Sequence, residues 1–265
     1  MISPLVAPVA ASGMRWPLRI VLLGNAYNPL SIACLEALVA AGHDVRVGIH
    51  NTIRKTAPFE ILRRRARARG GGFVLRRAVR LTLALTRLGA RRLGLPLRGA
   101  LSLEESCLMH RVPRFACADP NTPAFVARIR AEDPDLIVLA AFGRILKRRA
   151  FTAARLGCVN VHPSVLPRHR GPYPSYWIIA NREPSTGVTI HWVDEGIDTG
   201  PIIAQLIYPV EARDTEARLD AKAARAGSQL LAATLATLAA GVAQGLPQDE
   251  RRASHETQAA RVRAR

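Results

Sequence analysis

The segment that most narrows the fold is a strand, a helix and a second strand in immediate succession. Residues 18–23, LRIVLL, form an uninterrupted apolar run, Gly24–Pro29 turn the chain, a helical pattern continues through Ala41, and DVRVGIH at 44–50 is a second β-branched run. Short continuous apolar runs bounded by turn residues are strands buried on both faces. Gly42 ends the helix, and two strands joined by a helix lie parallel. The alternation resumes further on: a helix over Thr122–Glu132, a buried strand over Asp135–Ala140, the strand CVNVH at 158–162, strands over 185–194 and 202–210, and a long Ala- and Leu-rich helix over 215–243. The expected class is α/β, a mostly parallel sheet flanked by helices.

A segment of different composition interrupts this order. Residues 54–98 hold fourteen arginines and lysines against the single acid Glu60, and supply +13 of the chain's net charge of +18. Helices over Pro58–Ala68 and Phe73–Arg92 are expected there, separated by the glycine triplet at 70–72. Ser102 followed by Glu105 is a capping-box signal for a short helix ending near His110. The resulting organisation is a disordered extension at 1–14, one domain over 15–245 with a basic helical insertion at 52–115, and a frayed polar tail at 246–265. Met14 reads as an alternative start to Met1.

The second insertion helix interleaves Leu and Val with Arg at helical spacing. One reading lays that face on anionic lipid. An equal one packs the apolar stripe on the domain and leaves the arginines in water. Phosphate contacts to nucleic acid are a third and weaker reading. Few aromatics accompany the arginines, so stacking of single strands has no support.

The four cysteines, Cys34, Cys107, Cys117 and Cys158, are far apart and form no CxxC pair, so neither a zinc site nor a disulfide framework is expected. No run is long and apolar enough for a membrane span, and the first thirteen residues lack the basic leader of a secretory signal. A cytoplasmic protein is expected, with a peripheral position on the inner face of the membrane as the extension of the lipid reading.

The chemistry concentrates between Cys158 and Gln205. Asn160 and His162 are two apart on one strand and leave the same face, and Pro163 holds His162 in extended backbone. That strand's carboxyl end is where open α/β sheets bind ligands. Asp198 follows in EGIDTGP, where Gly196 and Gly200 permit a loop tight enough to turn the carboxylate inward. An amide, an imidazole and a carboxylate then converge without a metal. Asn160 can donate to a tetrahedral oxyanion, and His162 can shuttle a proton with Asp198 orienting it. These types suit acyl transfer to an amine and equally suit hydrolysis.

The pattern Asn-x-His-x-Ser-x-Leu-Pro, carried by Asn160, His162, Ser164, Leu166 and Pro167, then Arg170-Gly171 and Asp198-Thr199-Gly200, closely resembles the folate-dependent formyltransferases. That family includes glycinamide ribonucleotide, methionyl-tRNA and amino-sugar enzymes. The likeness covers about residues 18–50 and 120–215. It implies a Rossmann-like formyltransferase fold, 10-formyltetrahydrofolate as co-substrate and catalytic roles for Asn160, His162 and Asp198. By the same resemblance the loop VLAAFGRILK at 138–147 meets the pterin through its backbone, with Phe142, Arg144, Ile145 and Leu146 at the matching positions. Val193, Glu195, Gly196 and Ile197 would close that pocket. No metal is implied.

Two departures bear on the acceptor. The first loop, GNAYNPLS, lacks the glycine- and serine-rich phosphate cradle of the glycinamide ribonucleotide enzymes. The family's tRNA enzymes add a carboxyl-terminal β-barrel that is not expected here, and its hydrolases add a preceding regulatory domain that is not expected either. The acceptor expected is therefore a small primary amine, with an amino sugar on a nucleotide or lipid carrier first. An amino-acid-derived amine or methionyl-tRNA is the alternative, and a non-catalytic membrane- or nucleic-acid-binding protein is the alternative of another class. Of the remaining polar residues, Asp194 and Glu195 read as turn and cap residues, and His169 and His191 as surface or packing residues. Tyr173, Tyr176 and Trp177 read as a packed helix start, and Arg168 and Arg170 as either phosphate contacts or a solvated loop.

Overall fold

The computed structural model describes residues 16–50, 79, 82–83, 86–90, 99–240 and 244–257. Its strands are β1 (Arg19–Asn25), β2 (Asp44–His50), β3 (Arg114–Ala116), β4 (Leu136–Ala140), β5 (Cys158–His162), β6 (Ser185–Trp192) and β7 (Ile202–Pro209). Its helices are α1 (Pro29–Ala40), α2 (Leu103–Met109), α3 (Pro123–Ala131), α4 (Arg148–Phe151), α5 (Pro174–Ala180) and α6 (Glu216–Ala239). One seven-stranded sheet runs in the order β3-β2-β1-β4-β5-β6-β7. Pairing is parallel from β3 to β5 and antiparallel for β5 with β6 and β6 with β7.

The apolar runs form the buried middle of this sheet because each feeds two cores. Along β1, Ile20 and Leu22 enter one cluster with α1, α2 and α6, while Val21 and Leu23 enter the other with α3 and α4. Successive side chains of a strand point to opposite faces, so a strand covered on both sides must be apolar throughout. Helix starts are set by side chains that satisfy otherwise unpaired N–H groups. Asn28 accepts from Leu30 N at 2.9 Å ahead of Pro29, and Thr122 and Thr215 cap α3 and α6 in the same way. On α6, a Cβ at Gly227 would sit 2.8 Å from a Leu30 methyl and 3.0 Å from one of Val161, so this position keeps the helix close across β5.

Two boundary expectations are overturned. The capping box forms, with Glu105 N donating to Ser102 Oγ at 3.1 Å, but the helix it starts belongs to the domain and not to the insertion. Leu103 and Cys107 have no exposed surface, Val112 joins the same cluster, and β3 extends the sheet beyond β2. The domain therefore resumes at about residue 102, and the insertion assigned as 52–115 is too long by these elements.

The described part of the second insertion helix, at 79, 82–83 and 86–90, is helical. Arg87 Nε meets the fully buried Glu105 at 3.2 Å and Leu88 is buried, so this end packs on the domain. Val79 and Leu83 remain half exposed. The helix expected over Pro58–Ala68 lies outside the described residues.

The second correction concerns the polar tail, expected to fray from 246. Leu246 exchanges backbone hydrogen bonds with Ile202 at 2.7 and 2.8 Å, Arg170 N donates to Ser254 O at 2.9 Å, and Glu256 N donates to Arg170 O at 2.8 Å. Backbone pairing with β7 and with the loop after β5 fixes this stretch regardless of its polar composition. Among the described residues no helix is long and apolar enough to cross a membrane.

Leu103→Ala should destabilise the fold by about 2–5 kcal/mol in denaturant titration, as truncation of a fully buried leucine does. Loss of under about 0.5 kcal/mol, the range of surface substitutions, would return this residue to a peripheral insertion.

Candidate active site

β5 places Asn160 and His162 on one face, and its antiparallel neighbour supplies the floor. Asn160 pairs in register with His191 and His162 with Thr189. The loop between β6 and β7 then folds back so that Asp198 meets both side chains of β5. Asn160 Nδ2 donates to Asp198 Oδ1 at 3.1 Å, His162 Nδ1 lies 3.5 Å from Asp198 Oδ2, and the Gly171 N–H donates to Oδ2 at 2.8 Å. The tight loop depends on its glycines: a Cβ at Gly200 would collide with the Trp192 carbonyl, and one at Gly196 with the Thr199 hydroxyl. Asp198 itself has φ +55, a left-handed conformation that a non-glycine residue keeps only when its surroundings impose it.

The hydrogen positions follow from which partners can only accept. His162 Nε2 is 2.9 Å from the His169 carbonyl, so Nε2 carries the hydrogen and Nδ1 presents its lone pair toward Asp198. Burial lowers the His162 pKa from its ordinary 6.5, against the Asp198 carboxylate, which raises it. The ring is neutral at neutral pH, with Nδ1 able to take up a proton. Burial pushes the Asp198 carboxyl upward, but the positive charge that His162 and His191 carry when protonated, together with the Gly171 N–H, outweighs this and holds it well below the usual carboxylate range. A proton arriving at Nδ1 thus lands beside a fixed negative charge.

Asn160 departs from its expected role. His191 Nδ1 faces the Trp192 carbonyl at 2.8 Å and donates to it, leaving Nε2 to accept from Asn160 Nδ2 at 3.2 Å. Both amide hydrogens of Asn160 are therefore committed, one to Asp198 and one to His191. The ionised carboxylate draws the N–H inward, and the amide oxygen is the group left for a ligand.

His169 and His191, read as surface or packing residues, are both buried and both touch the site. His191 supports Asn160, and His169 contributes its carbonyl while its ring bridges Glu183 at 2.8 Å and Glu256 at 3.1 Å. Only the β5–β6 register could have revealed the first, and only the loop's path the second. Arg170 is neither a phosphate contact nor solvated: it is 1% exposed, with its guanidinium on Gln248 and Glu250. Arg168 pairs with Glu183. Asp194 is a turn residue that accepts from Gly196 N and the Thr199 hydroxyl. Tyr173 precedes α5 in left-handed backbone, and Tyr176 packs edge-on against Trp177.

The residues expected around a pterin fall into two groups. Phe142 and Leu146 are buried in the cluster below the loop and anchor it, with Val193 packed on the same cluster. Between them Gly143, Arg144 and Ile145 face solvent, Gly143 at φ +70. Arg144 Nε reaches His50 Nε2 at 3.3 Å. On the second loop Glu195, Gly196 and Ile197 are exposed, and Glu195 pairs with Arg148 at 3.4 Å, bridging that loop to the start of α4. Gly143, Arg144 and Ile145 also line a cleft of about 420 Å³ with Ala118–Asn121, on a side of the loop that does not include Asn160, His162 or Asp198.

A family model described as formyl transferase matches residues 101–235. A methionyl-tRNA formyltransferase of Pelobacter propionicus is 40% identical over 148 residues, covering 56% of this chain and 46% of that protein. One from a Synechococcus species is 41% identical over 133 residues, or 50% of this chain and 41% of that protein. The chain spans under half the length of these relatives. Among solved structures, an N-formyltransferase from Helicobacter canadensis in complex with folinic acid and dTDP-3-aminofucose superposes with a TM-score of 0.59 at 18% identity, over 91% of this chain and 71% of that one. A glycinamide ribonucleotide transformylase from Symbiobacterium toebii gives 0.58 at 22%, over 90% and 100%. These two likenesses are of fold.

The proton arrangement at His162 is directly measurable. Its imidazole resonances should titrate with a midpoint below 6.5, and Asp198→Asn should move that midpoint further down, because it removes the charge that favours the imidazolium. A midpoint above 6.5, or an upward move in the variant, would contradict the arrangement.

Proposed function

Since this chain belongs to the formyl transferase family, whose model spans residues 101–235, we propose that it moves a formyl group from 10-formyltetrahydrofolate to a primary amine. The observation that carries this is the convergence of Asn160, His162 and Asp198 with a base nitrogen and an amide oxygen left for ligands. Asn160 Oδ1 accepts a hydrogen from the incoming amine and aims its nitrogen lone pair at the formyl carbon. As the new C–N bond forms, His162 Nδ1 takes the proton that the amine loses. The resulting imidazolium, held by Asp198, faces the negative charge that develops on the formyl oxygen. When the bond to the donor nitrogen breaks, His162 returns the proton to that nitrogen, leaving the formylated amine and tetrahydrofolate.

The loop residues fit a flat heterocycle. Phe142 and Leu146 fix the loop from below, so the backbone at 143–145 can offer its N–H and C=O groups to pterin edges. Val193, Glu195, Gly196 and Ile197 stand across from them in this reading, with the Arg148–Glu195 pair tying the two sides.

For the acceptor, the sequence alone favours an amino sugar on a nucleotide or lipid carrier. The relatives at 40–41% identity turn the preference to the aminoacyl amine of methionyl-tRNA, whereas the sugar enzymes share the fold at 17–18%. The segment 54–98, with its net +13, suits a polyanionic acceptor. The amino-acid-derived amine has no comparable support.

Release of tetrahydrofolate from 10-formyltetrahydrofolate should depend on the amine, and methionyl-tRNA should serve better than dTDP-amino sugars, hydroxyornithine or glycinamide ribonucleotide. His162→Ala should lower the rate by about 10²- to 10⁴-fold. Turnover with a sugar nucleotide and none with the tRNA would reverse the acceptor assignment. No release with any amine would remove the catalytic reading.

A further inference from the structure

The polar stretch after α6 is tied to both loops that build the candidate site. Gln248 Nε2 donates to the Asp198 carbonyl at 2.8 Å and to the Gly200 carbonyl at 2.7 Å, so one amide spans the left-handed turn that carries the carboxylate. Its Oε1 accepts from Arg170 Nε at 3.1 Å and Nη2 at 2.8 Å, and Glu250 holds the rest of that buried guanidinium at 2.7 and 2.8 Å. On the other loop, Ser254 Oγ accepts from His169 N at 2.7 Å, and Glu256 binds the His169 ring. Gly171 lies so close to the Glu256 carbonyl that a Cβ there would be 2.5 Å from its oxygen. The three groups that fix the proton, namely the His169 carbonyl, the Gly171 N–H and the Asp198 carboxylate, are thus all backed by one segment.

We propose that residues 246–257 are a strap that sets the catalytic carboxylate, with Gln248 as a positioning residue acting through Asp198. The assignment rests on the formyl-transfer reading for its catalytic consequence, but not for its geometry. A left-handed aspartate persists where its surroundings over-determine it. The Gln248 amide supplies that determination by binding the carbonyl of Asp198 and that of the residue two positions on. Without it the turn can relax and carry the carboxylate away from His162. The groups facing His162 are Asp198 from the β6–β7 loop, His191 from β6 and His169 from the loop after β5. Of these only Asp198 favours the imidazolium by its charge, so a displaced strap has a defined electrostatic signature.

The test is the His162 imidazole titration followed by NMR in the full chain, with turnover as a second readout. In Gln248→Leu the midpoint should fall by about half a unit or more, toward that of Asp198→Asn. Amine-dependent turnover should drop about 10- to 100-fold, mainly in kcat. Added to Asp198→Asn, the same change should shift the midpoint no further, because the two act through one group. A folded Gln248→Leu with the wild-type midpoint, or a shift that simply adds to that of Asp198→Asn, would overturn the proposal. Where Gln248→Leu does not fold, Glu250→Ala decides, since that side chain is 69% exposed and its loss frees one side of Arg170 only. A smaller fall in the midpoint is then expected, and no fall counts against the strap. Should the wild type turn over no amine at all, the formyl-transfer reading fails while the titration still judges the strap.

Discussion

A carboxylate withdrawn from water has to be met by donors, and the carboxyl-terminal half of this chain is arranged around one such group. Asp198 receives the Asn160 amide and the Gly171 N–H and faces two imidazoles. The partners come from three elements: Asn160 and His162 from β5, His191 from β6, Gly171 from the loop after β5. Satisfying one ion thereby fixes the relative placement of three pieces of chain. The sheet makes this possible by reversing direction at β6, which sets His191 directly beside Asn160.

The elements that could be read from sequence are those whose burial is two-sided. β1 and β4 hold continuous apolar runs because both faces are covered, and β5 departs from this only at Asn160 and His162, so their positions emerge without knowledge of partners. α2 and β3 follow the basic segment, and sequence order alone places them with it, yet Leu103 and Cys107 set α2 in the main core and β3 pairs with β2. Within the candidate site, the convergence of Asn160, His162 and Asp198 is legible from spacing and from the glycines around Asp198. His191 is not, since its role depends on strand register. The segment at 246–257 reads as frayed in sequence because Gln, Glu and Arg have no apolar periodicity, and its side-chain hydrogen bonds close loops of 48 to 87 residues. Periodicity reports burial of surface and is silent on long-range polar pairing.

The orientation of Asn160 changes how the chemistry divides among the three residues. Sequence alone gives its amide the part of an oxyanion donor. With an ionised carboxylate and an imidazole lone pair taking its two hydrogens, the amide oxygen is the group left over, and in the proposed reaction the charge of the protonated His162 takes the place of that donor. The same residue type at the same position can thus orient a nucleophile or stabilise a charge, and its neighbours decide which.

The place of the strap in chain order has a consequence for biosynthesis. The sheet, both core clusters and α6 are complete by Ala239, whereas Gln248, Ser254 and Glu256 follow. As domains fold from the amino end during synthesis, a chain emerging from the ribosome can acquire its layered core while the carboxylate turn is still untied. Folding of the core and setting of the carboxylate are then separate events, and a nascent polypeptide is layered before its candidate site is set.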